Sequence, residues 1–252
     1  MNDLTIVICS KRDLTGLNRT LNSVNLKELT TTKKIIVLSD YPEIEIDQMK
    51  SKFNEPSFEF LTSDAKGIYN AQNFGLSQVK TTFVQFLNGG DELVDVSGLK
   101  LLVAKLEGSL WGYGSLRITK LSGKTYNYSF HYMKLLHRLG LKYIPHPSSV
   151  INTKAILELG GYDENYQSAA DHKLFLLLSR QCKPIVISDC ISNFYLGGAS
   201  TRSNELIVND SANISREIFG NYFKSSRLDR MVWKTVMGLR NTRNLFRHAS
   251  QM

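Results

Sequence analysis

Cysteine is scarce in this 252-residue chain: Cys9, Cys182 and Cys190 are an odd number with no C-x-x-C pair among them. The spacing supplies neither a thiol-redox motif nor a cysteine zinc site, and three buried, reduced thiols of a cytosolic protein are expected. Long apolar runs are also missing. None reaches the roughly 18 residues that span a bilayer, and a run such as Leu174 to Leu178 is soon broken by charge. The chain opens straight into Leu4-Thr5-Ile6-Val7-Ile8-Cys9 with no basic segment or small-residue cleavage site ahead of it, so no secretory leader is expected. Internal repeats and low-complexity tracts are absent.

What is present is an apolar content of 42%, enough to bury the core of one large domain with or without an appendage. The net charge of +8 is unevenly spread: from Asn213 onward eight Lys or Arg face only Glu217 and Asp229, so six of the eight excess charges fall at the C-terminus. An anionic partner, lipid headgroups or nucleic acid, is implied. The same tail mixes Trp233, Leu239, Leu245 and Phe246 with arginines. That is the pattern of a cationic amphipathic helix at an anionic membrane surface, or of a helix packed on the domain with a solvated basic side. The expected division is a domain over 1–212 and a basic helical tail over 213–252.

The first half alternates strands and helices. Thr5 to Cys9, Lys34 to Leu38, Ser57 to Leu61 and Thr82 to Leu87 read as strands, while Leu17 to Val24 and Ile68 to Val79 carry helical spacing. This order predicts an α/β fold with a mostly parallel, doubly wound sheet, whose ligands bind beyond the carboxyl ends of the strands. The chemistry is therefore expected just after Cys9, Leu38 and Leu87. In the less regular second half, Leu99 to Leu106, Lys154 to Leu159 and Asp171 to Arg180 read as helices, Trp111 to Leu121 as a strand, and Tyr128 to Leu139 as an aromatic, basic segment stopped by Gly140.

Phe86-Leu87-Asn88-Gly89-Gly90-Asp91-Glu92 places an acidic turn at the end of a central strand, a suitable seat for a hard divalent cation but also an ordinary turn sequence. Its neighbours add information. Gly67-Ile68-Tyr69-Asn70-Ala71-Gln72-Asn73-Phe74-Gly75 resembles the G-I-Y-D-A-M-N-K-G segment of bacterial family 2 glycosyltransferases, and the acidic turn resembles their F-L-N-S-G-D or F-L-N-x-D-D metal segment. His146 to Val150, Gly160 to Glu164 and Ala169 to Phe175 resemble, in order, the family's H-Q, G-G-F-D-E and A-D-Y-D-L-F elements. Gly197-Gly198-Ala199-Ser200-Thr201 is similar to the G-G-V-S-T loop of colanic-acid-type and related polysaccharide members.

The resemblance implies a GT-A fold, a Rossmann-like nucleotide-diphospho-sugar transferase fold, with inverting chemistry. It further implies a nucleotide-sugar donor, UDP-sugar being the commonest class, and a manganese or magnesium ion. By position, Asp91 matches the metal-binding carboxylate and Asp171 the general base, although a carboxylate at the start of a helix also serves the helix dipole. Asp40 stands where the family binds the base of the nucleotide, or is a turn residue before Tyr41-Pro42. Cys9, Ser10, Arg12, Lys66, Asn70, Asn73, Asn88 and Gly90 fall at donor-contact positions. His146 is expected at the acceptor or donor sugar, or as a turn histidine, and Ser200 and Thr201 in a loop over the donor, or in a plain hairpin. Gly90, Asn70 and Ala65 depart from the family's acidic residues.

The implied activity is transfer of a sugar onto a lipid-linked saccharide at the cytoplasmic membrane face, for an O-antigen, capsule or exopolysaccharide. An inactive relative kept for complex assembly is the alternative raised by those departures. A nucleic-acid-binding module is the other, but the motif-bearing region is close to neutral and carries no nucleic-acid motif, so no nucleic-acid partner is expected.

Overall fold

The computed structural model describes residues 3–129, 131–196 and 204–220 together with Thr235. The chain begins β1 (Leu4–Lys11), α1 (Leu14–Val24), β2 (Lys33–Ser39), α2 (Glu43–Lys52), β3 (Phe58–Thr62), α3 (Ile68–Ser77) and β4 (Phe83–Asn88). It continues through a two-residue β5 (Glu92–Leu93), α4 (Val96–Lys105), β6 (Trp111–Thr119), β7 (Thr125–Tyr128) and α5 (Lys134–Arg138). β8 (Ser149–Asn152), α6 (Thr153–Glu158), α7 (Ala170–Gln181), β9 (Ile185–Tyr195) and α8 (Asn204–Phe219) complete it.

All the strands join one mixed sheet in the order β3-β2-β1-β4-β8-β6-β9-β5, with β7 pairing β6. The first four in that row are mutually parallel, and β6 and β9 are parallel to each other. β8 sits antiparallel between β4 and β6 and so joins the two parallel blocks. The expected mostly parallel α/β sheet is therefore present. Its antiparallel members, β5, β7 and β8, all follow β4 in the chain.

Strand alternation explains why helices cover both faces. Leu4, Ile6 and Ile8 of β1, Ile36 and Leu38 of β2 and Leu87 of β4 point into a core shared with Leu17, Leu21, Met49, Leu99 and Leu102. Val7 and Cys9, Ile35 and Val37, and Val84 and Phe86 point into a second core with Tyr69, Leu76, Ile156, Leu174 and Phe175. Burying each such side chain contributes about 1.5–3 kcal/mol against exposure, which is why a central strand here is apolar on both sides. Local signals set the helix starts: Asp13 Oδ1 accepts the Gly16 N–H at 2.8 Å and Asp95 Oδ1 the Gly98 N–H at 3.0 Å. Caps of this kind contribute about 1 kcal/mol each.

α8 runs across the expected boundary at 212/213. Its Ile214 is buried with Ala169 and Leu176, Tyr166 OH donates to Glu217 Oε2 at 2.8 Å, and the Arg138 guanidinium lies 4.1 Å from the Phe219 ring centre. The basic tail thus begins as a helix docked on the domain; apart from Thr235, residues after 220 lie outside the described residues. Ser200 and Thr201, expected in a loop over the donor, lie outside them too.

Candidate functional site

β1, β2 and β4 are parallel and end side by side at Lys11, Ser39 and Asn88. The turn after β4 is tightly held. Gly89 N donates to Cys9 O at 2.8 Å, Gly90 N to Thr20 Oγ1 at 2.9 Å, and Thr20 Oγ1 to Asp91 O at 2.6 Å. Asp91 Oδ2 accepts the Asn88 N–H at 3.0 Å and so closes the turn on itself. Gly90 has φ of 112°, in the region that disfavours side chains, which gives a physical reason for glycine where many members of the resembled family carry aspartate.

Whether this turn suits a divalent cation is decided by its carboxylates. Asp91 is 3% exposed, and burial raises its pKa from 3.8 to about 7 against the opposing Asn88 amide. Among the described residues no lysine or arginine pairs with it. A buried, unpaired carboxylate is a group whose desolvation a hard cation offsets, so Asp91 fits a metal as a single ligand. Glu92 is committed elsewhere: its Oε2 accepts from Asn193 Nδ2 at 3.0 Å and Tyr195 OH at 2.7 Å. No group of three or more His, Cys, Asp or Glu among the described residues could hold a metal unaided. Phosphate oxygens and water would have to complete the shell.

Asp171 lies in the first turn of α7, half-buried, and its Oδ1 accepts the Tyr69 hydroxyl at 3.2 Å. Burial, then the Asp171 charge, pushes Tyr69 far above the usual tyrosine range; Tyr162 is raised by the same two causes. The Tyr162 hydroxyl meets His146 Nε2 at 2.8 Å, and its ring stacks on Tyr69 at 5.6 Å and meets Phe86 edge-on at 5.2 Å. His146 is buried, which lowers its pKa although Asp171 pulls the other way. Asp171 is therefore surrounded by neutral hydroxyl and imidazole groups of Tyr69, Tyr162 and His146.

α3 brings the turn and this cluster together. Tyr69 reaches Asp171, and Gln72, three residues on and hence on the same helical face, donates through Nε2 to Asn88 Oδ1 at 3.1 Å. The Asn88–Asp91 turn and Asp171 thus lie on the same side of the molecule, about one helical turn apart along α3. Tyr69, Gln72 and Tyr162 were not singled out from the sequence; only the Gly67–Gly75 and Gly160–Glu164 segments containing them were visible.

Other expected donor contacts have different partners. Asn70 Nδ2 donates to Glu164 Oε2 at 2.7 Å, and Asn73 Nδ2 to Glu164 Oε1 and Tyr162 O, both at 2.8 Å, while Asn73 Oδ1 accepts the Tyr162 N–H at 2.8 Å. Both asparagines dock the 160–164 loop onto α3. The Cys9 thiol lies in the core, and its carbonyl is taken by Gly89. Ser10 Oγ contacts Tyr41 OH at 2.7 Å, and Tyr41 OH also accepts the Asp13 N–H at 2.8 Å, tying the loops after β1 and β2. In those loops Arg12 and Asp40 have φ of 46° and 59°, backbone strain of a kind that collects at ligand sites. Asp40 pairs with Lys11 at 3.0 Å, and Arg12 and Lys66 are exposed.

No protein-family model matches the chain. Two curated Mycobacterium tuberculosis proteins, from strains CDC 1551 and H37Rv, each named an uncharacterized glycosyltransferase, are 26% identical to it over 204 residues, 79% of this chain and 77% of theirs. Among solved structures, residues 1–349 of Staphylococcus aureus TarS superpose with a TM-score of 0.65 at 14% identity, covering 89% of this chain and 68% of that one. The same TarS fragment in complex with UDP-GlcNAc gives 0.64 over 86% and 65% of the two chains. The mannosyltransferase PcManGT from Pyrobaculum calidifontis, in complex with GDP-Man and Mn2+, gives 0.59 at 10% identity over 79% and 58%. The chain is a glycosyltransferase with the GT-A fold. In this GT-A chain the edge formed by the ends of β1, β2 and β4 is the one just beyond which the sequence leads one to expect the chemistry. Among the described residues no helix is long and apolar enough to cross a membrane.

Proposed function

We propose that this glycosyltransferase moves a sugar from a nucleotide donor, most simply a UDP-sugar, onto a lipid-linked saccharide with inversion, building a surface polysaccharide at the inner face of the cytoplasmic membrane. The observation that supports it is the pairing of an acidic strand-end turn with a half-buried carboxylate across one face of α3. The donor class draws on the neighbours that were solved with UDP-GlcNAc and with GDP-Man and Mn2+.

In this reading the diphosphate lies over the Asn88–Asp91 turn, where Asp91 would hold a manganese or magnesium ion. When bound, such an ion supplies positive charge against the departing diphosphate. Asp171 takes the proton of the acceptor hydroxyl as that oxygen bonds to the anomeric carbon, while the bond from that carbon to the nucleoside diphosphate breaks on the opposite side. The Tyr69 hydroxyl fixes Asp171 Oδ1, and Oδ2 has no hydrogen-bond partner among the described residues, so it is open to an acceptor. His146 acts from behind, orienting Tyr162. Ser10, Arg12 and Asp40 border the nucleotide, and the tail over 213–252 contacts the anionic membrane surface.

Asp171→Asn tests the assignment. Transfer falls by about 10²–10⁴-fold, the usual contribution of a general base, while stabilisation by manganese with nucleoside diphosphate is retained. Undiminished turnover removes Asp171 as the base, and a flat thermal response of the wild type to every nucleotide removes the transferase reading. The lone carboxylate at the turn favours, as a second reading, a relative that binds donor without turning it over; single-turnover assays with saturating donor distinguish the two.

A further inference from the structure

The near-neutral charge of the domain hides a local imbalance. Between Glu107 and Glu158 there is no acidic residue, while Arg117, Lys120, Lys124, Lys134, Arg138, Lys142 and Lys154 supply seven positive charges. In the fold most of these gather around the β6–β7 hairpin and α5. Arg117, Lys124 and Lys134 are exposed, Lys120 lies over the Tyr126 ring at 5.8 Å, and Lys142 over Tyr128 at 5.5 Å.

Aliphatic side chains stand among them without a core to fill. Leu121 at the hairpin tip is 87% exposed, and Met133 and Leu135 beside Lys134 are 55% and 61% exposed. The tip is an ordered turn, with Lys120 N donating to Lys124 O at 2.8 Å and Gly123 N to Lys120 O at 2.9 Å. The fold therefore holds Leu121 out in water, at a cost that an external apolar phase would remove.

The placement relative to the site is set by strand direction. β4 and β6 are each antiparallel to β8, so they run the same way, and Thr119 at the end of β6 lies on the sheet edge that carries Asn88. The hairpin tip projects from that edge. α5 adjoins the Asp171 side, since its His137 ring packs 5.0 Å from that of His172, the residue after Asp171.

We propose that the hairpin tip (Lys120, Leu121, Lys124) and the exposed side of α5 (Met133, Lys134, Leu135) form a docking surface for an anionic lipid bilayer, separate from the C-terminal tail. Lysines interspersed with aliphatic side chains fit lipid headgroups over an acyl boundary. A nucleic-acid partner would give the leucines and methionine no apolar phase to enter, and the aromatic rings it would stack on are half-buried. Docked this way, the cleft opens toward the membrane on its Asp171 side. Only that last consequence rests on the transfer reading with a lipid-linked acceptor; the binding itself does not.

The test is co-sedimentation of the full chain with phosphatidylcholine vesicles, with and without one quarter phosphatidylglycerol, at physiological salt. Binding to the anionic vesicles falls on the order of twentyfold for the Lys120→Gln, Lys124→Gln double variant, from about fivefold per lysine. Leu121→Ser, or Met133→Ser with Leu135→Ser, lowers it by about tenfold, because a hydroxymethyl group gains little from entering the acyl boundary. All these positions are exposed except Lys120, which is half-buried, and an unchanged Tm for each variant verifies that the fold is kept. The proposal is overturned if these variants bind like the wild type while deletion after residue 220 abolishes binding, if neutral vesicles bind as well as anionic ones, or if short RNA is retained at this patch and vesicles are not. Nucleoside-diphosphate stabilisation is read in the same samples. Its absence in the wild type strikes the transfer reading alone, and the vesicle result still decides the docking surface.

Discussion

The two halves of the sheet are built on different rules. β1 to β4 follow one another with a helix between each pair, pair in parallel with near neighbours, and carry both signs of charge on the connecting segments. From β6 onward the chain crosses back, inserts β8 antiparallel, adds a hairpin and buries polar groups among aromatic rings. The first half is thus a repetitive frame, whereas the second is held by individual long-range contacts. Its imidazoles show the difference. His137, His146 and His172 are all buried, and His172 has neither ring nitrogen hydrogen-bonded. The first half's buried cation, Lys34, has its Nζ on Leu29 O at 2.6 Å and Ser57 Oγ at 3.1 Å.

Acid should expose this contrast most strongly. Burial lowers the pKa of all three histidines, that of His172 from 6.5 to about 3. Below pH 6.5 the unfolded chain takes up protons that the folded chain refuses, so stability present above 6.5 is lost as pH falls. The slope reaches about 1.4 kcal/mol per pH unit for each histidine. Amide hydrogen exchange at pH 5 against pH 7 should show β7, α5 and α7 losing protection first, and His172→Phe should flatten the dependence. Earlier loss in β1 to β4 would break the comparison.

The join between the halves comes next in size. Gly161 has φ of 76°, and a Cβ there would lie 2.5 Å from Asn73 Oδ1. Gly161→Ala should therefore cost about 3 kcal/mol in strain and broken hydrogen bonds, on the order of 10 °C in Tm for a chain of this size. Differential scanning calorimetry checks it; a shift under a third of that would mean the clamp carries little of the connection.

The smallest effect belongs to the first half and has the same sign as that of the histidines, in a more alkaline window. Burial lowers Lys34 from 10.5 to about 8 despite the nearby Glu55. Between these values the unfolded state binds more protons, so wild-type stability rises with pH. Relative to Lys34→Met, the wild type should gain about 1 kcal/mol from pH 8 to pH 9 in urea titrations; parallel curves would show that Lys34 is not desolvated.

Legibility follows the same division. In the first half β1, β2 and β4 were readable because each is a short apolar run buried on both faces, and β3 because its residues alternate. α2 was missed because only Ile46 and Met49 of its ten residues are buried, leaving a polar surface without a clear stripe. β8 and β9 were missed for another reason. β8 has four residues behind a proline turn, and β9 carries Ser192 and Asn193 inside, where they bond to Pro147 O and Thr119 Oγ1. Those partners lie far away in sequence, so no local period reveals the strand. At the candidate site, Asp91 and Asp171 were singled out through motif resemblance. The roles of Tyr69, Gln72 and Asn73 depend on what α3 faces, which no spacing rule encodes.

The clamp between Asn73 and Tyr162 also bears on how the chain assembles during synthesis. β1 to β4 and their helices can pair as they leave the ribosome, but the side-chain amide of Asn73 has no partner until residue 162 has been made. Closing a loop that long is slow compared with forming neighbouring strands. The nascent first half therefore waits with one side of α3 uncovered, and a chaperone that shields helix faces would find its substrate there.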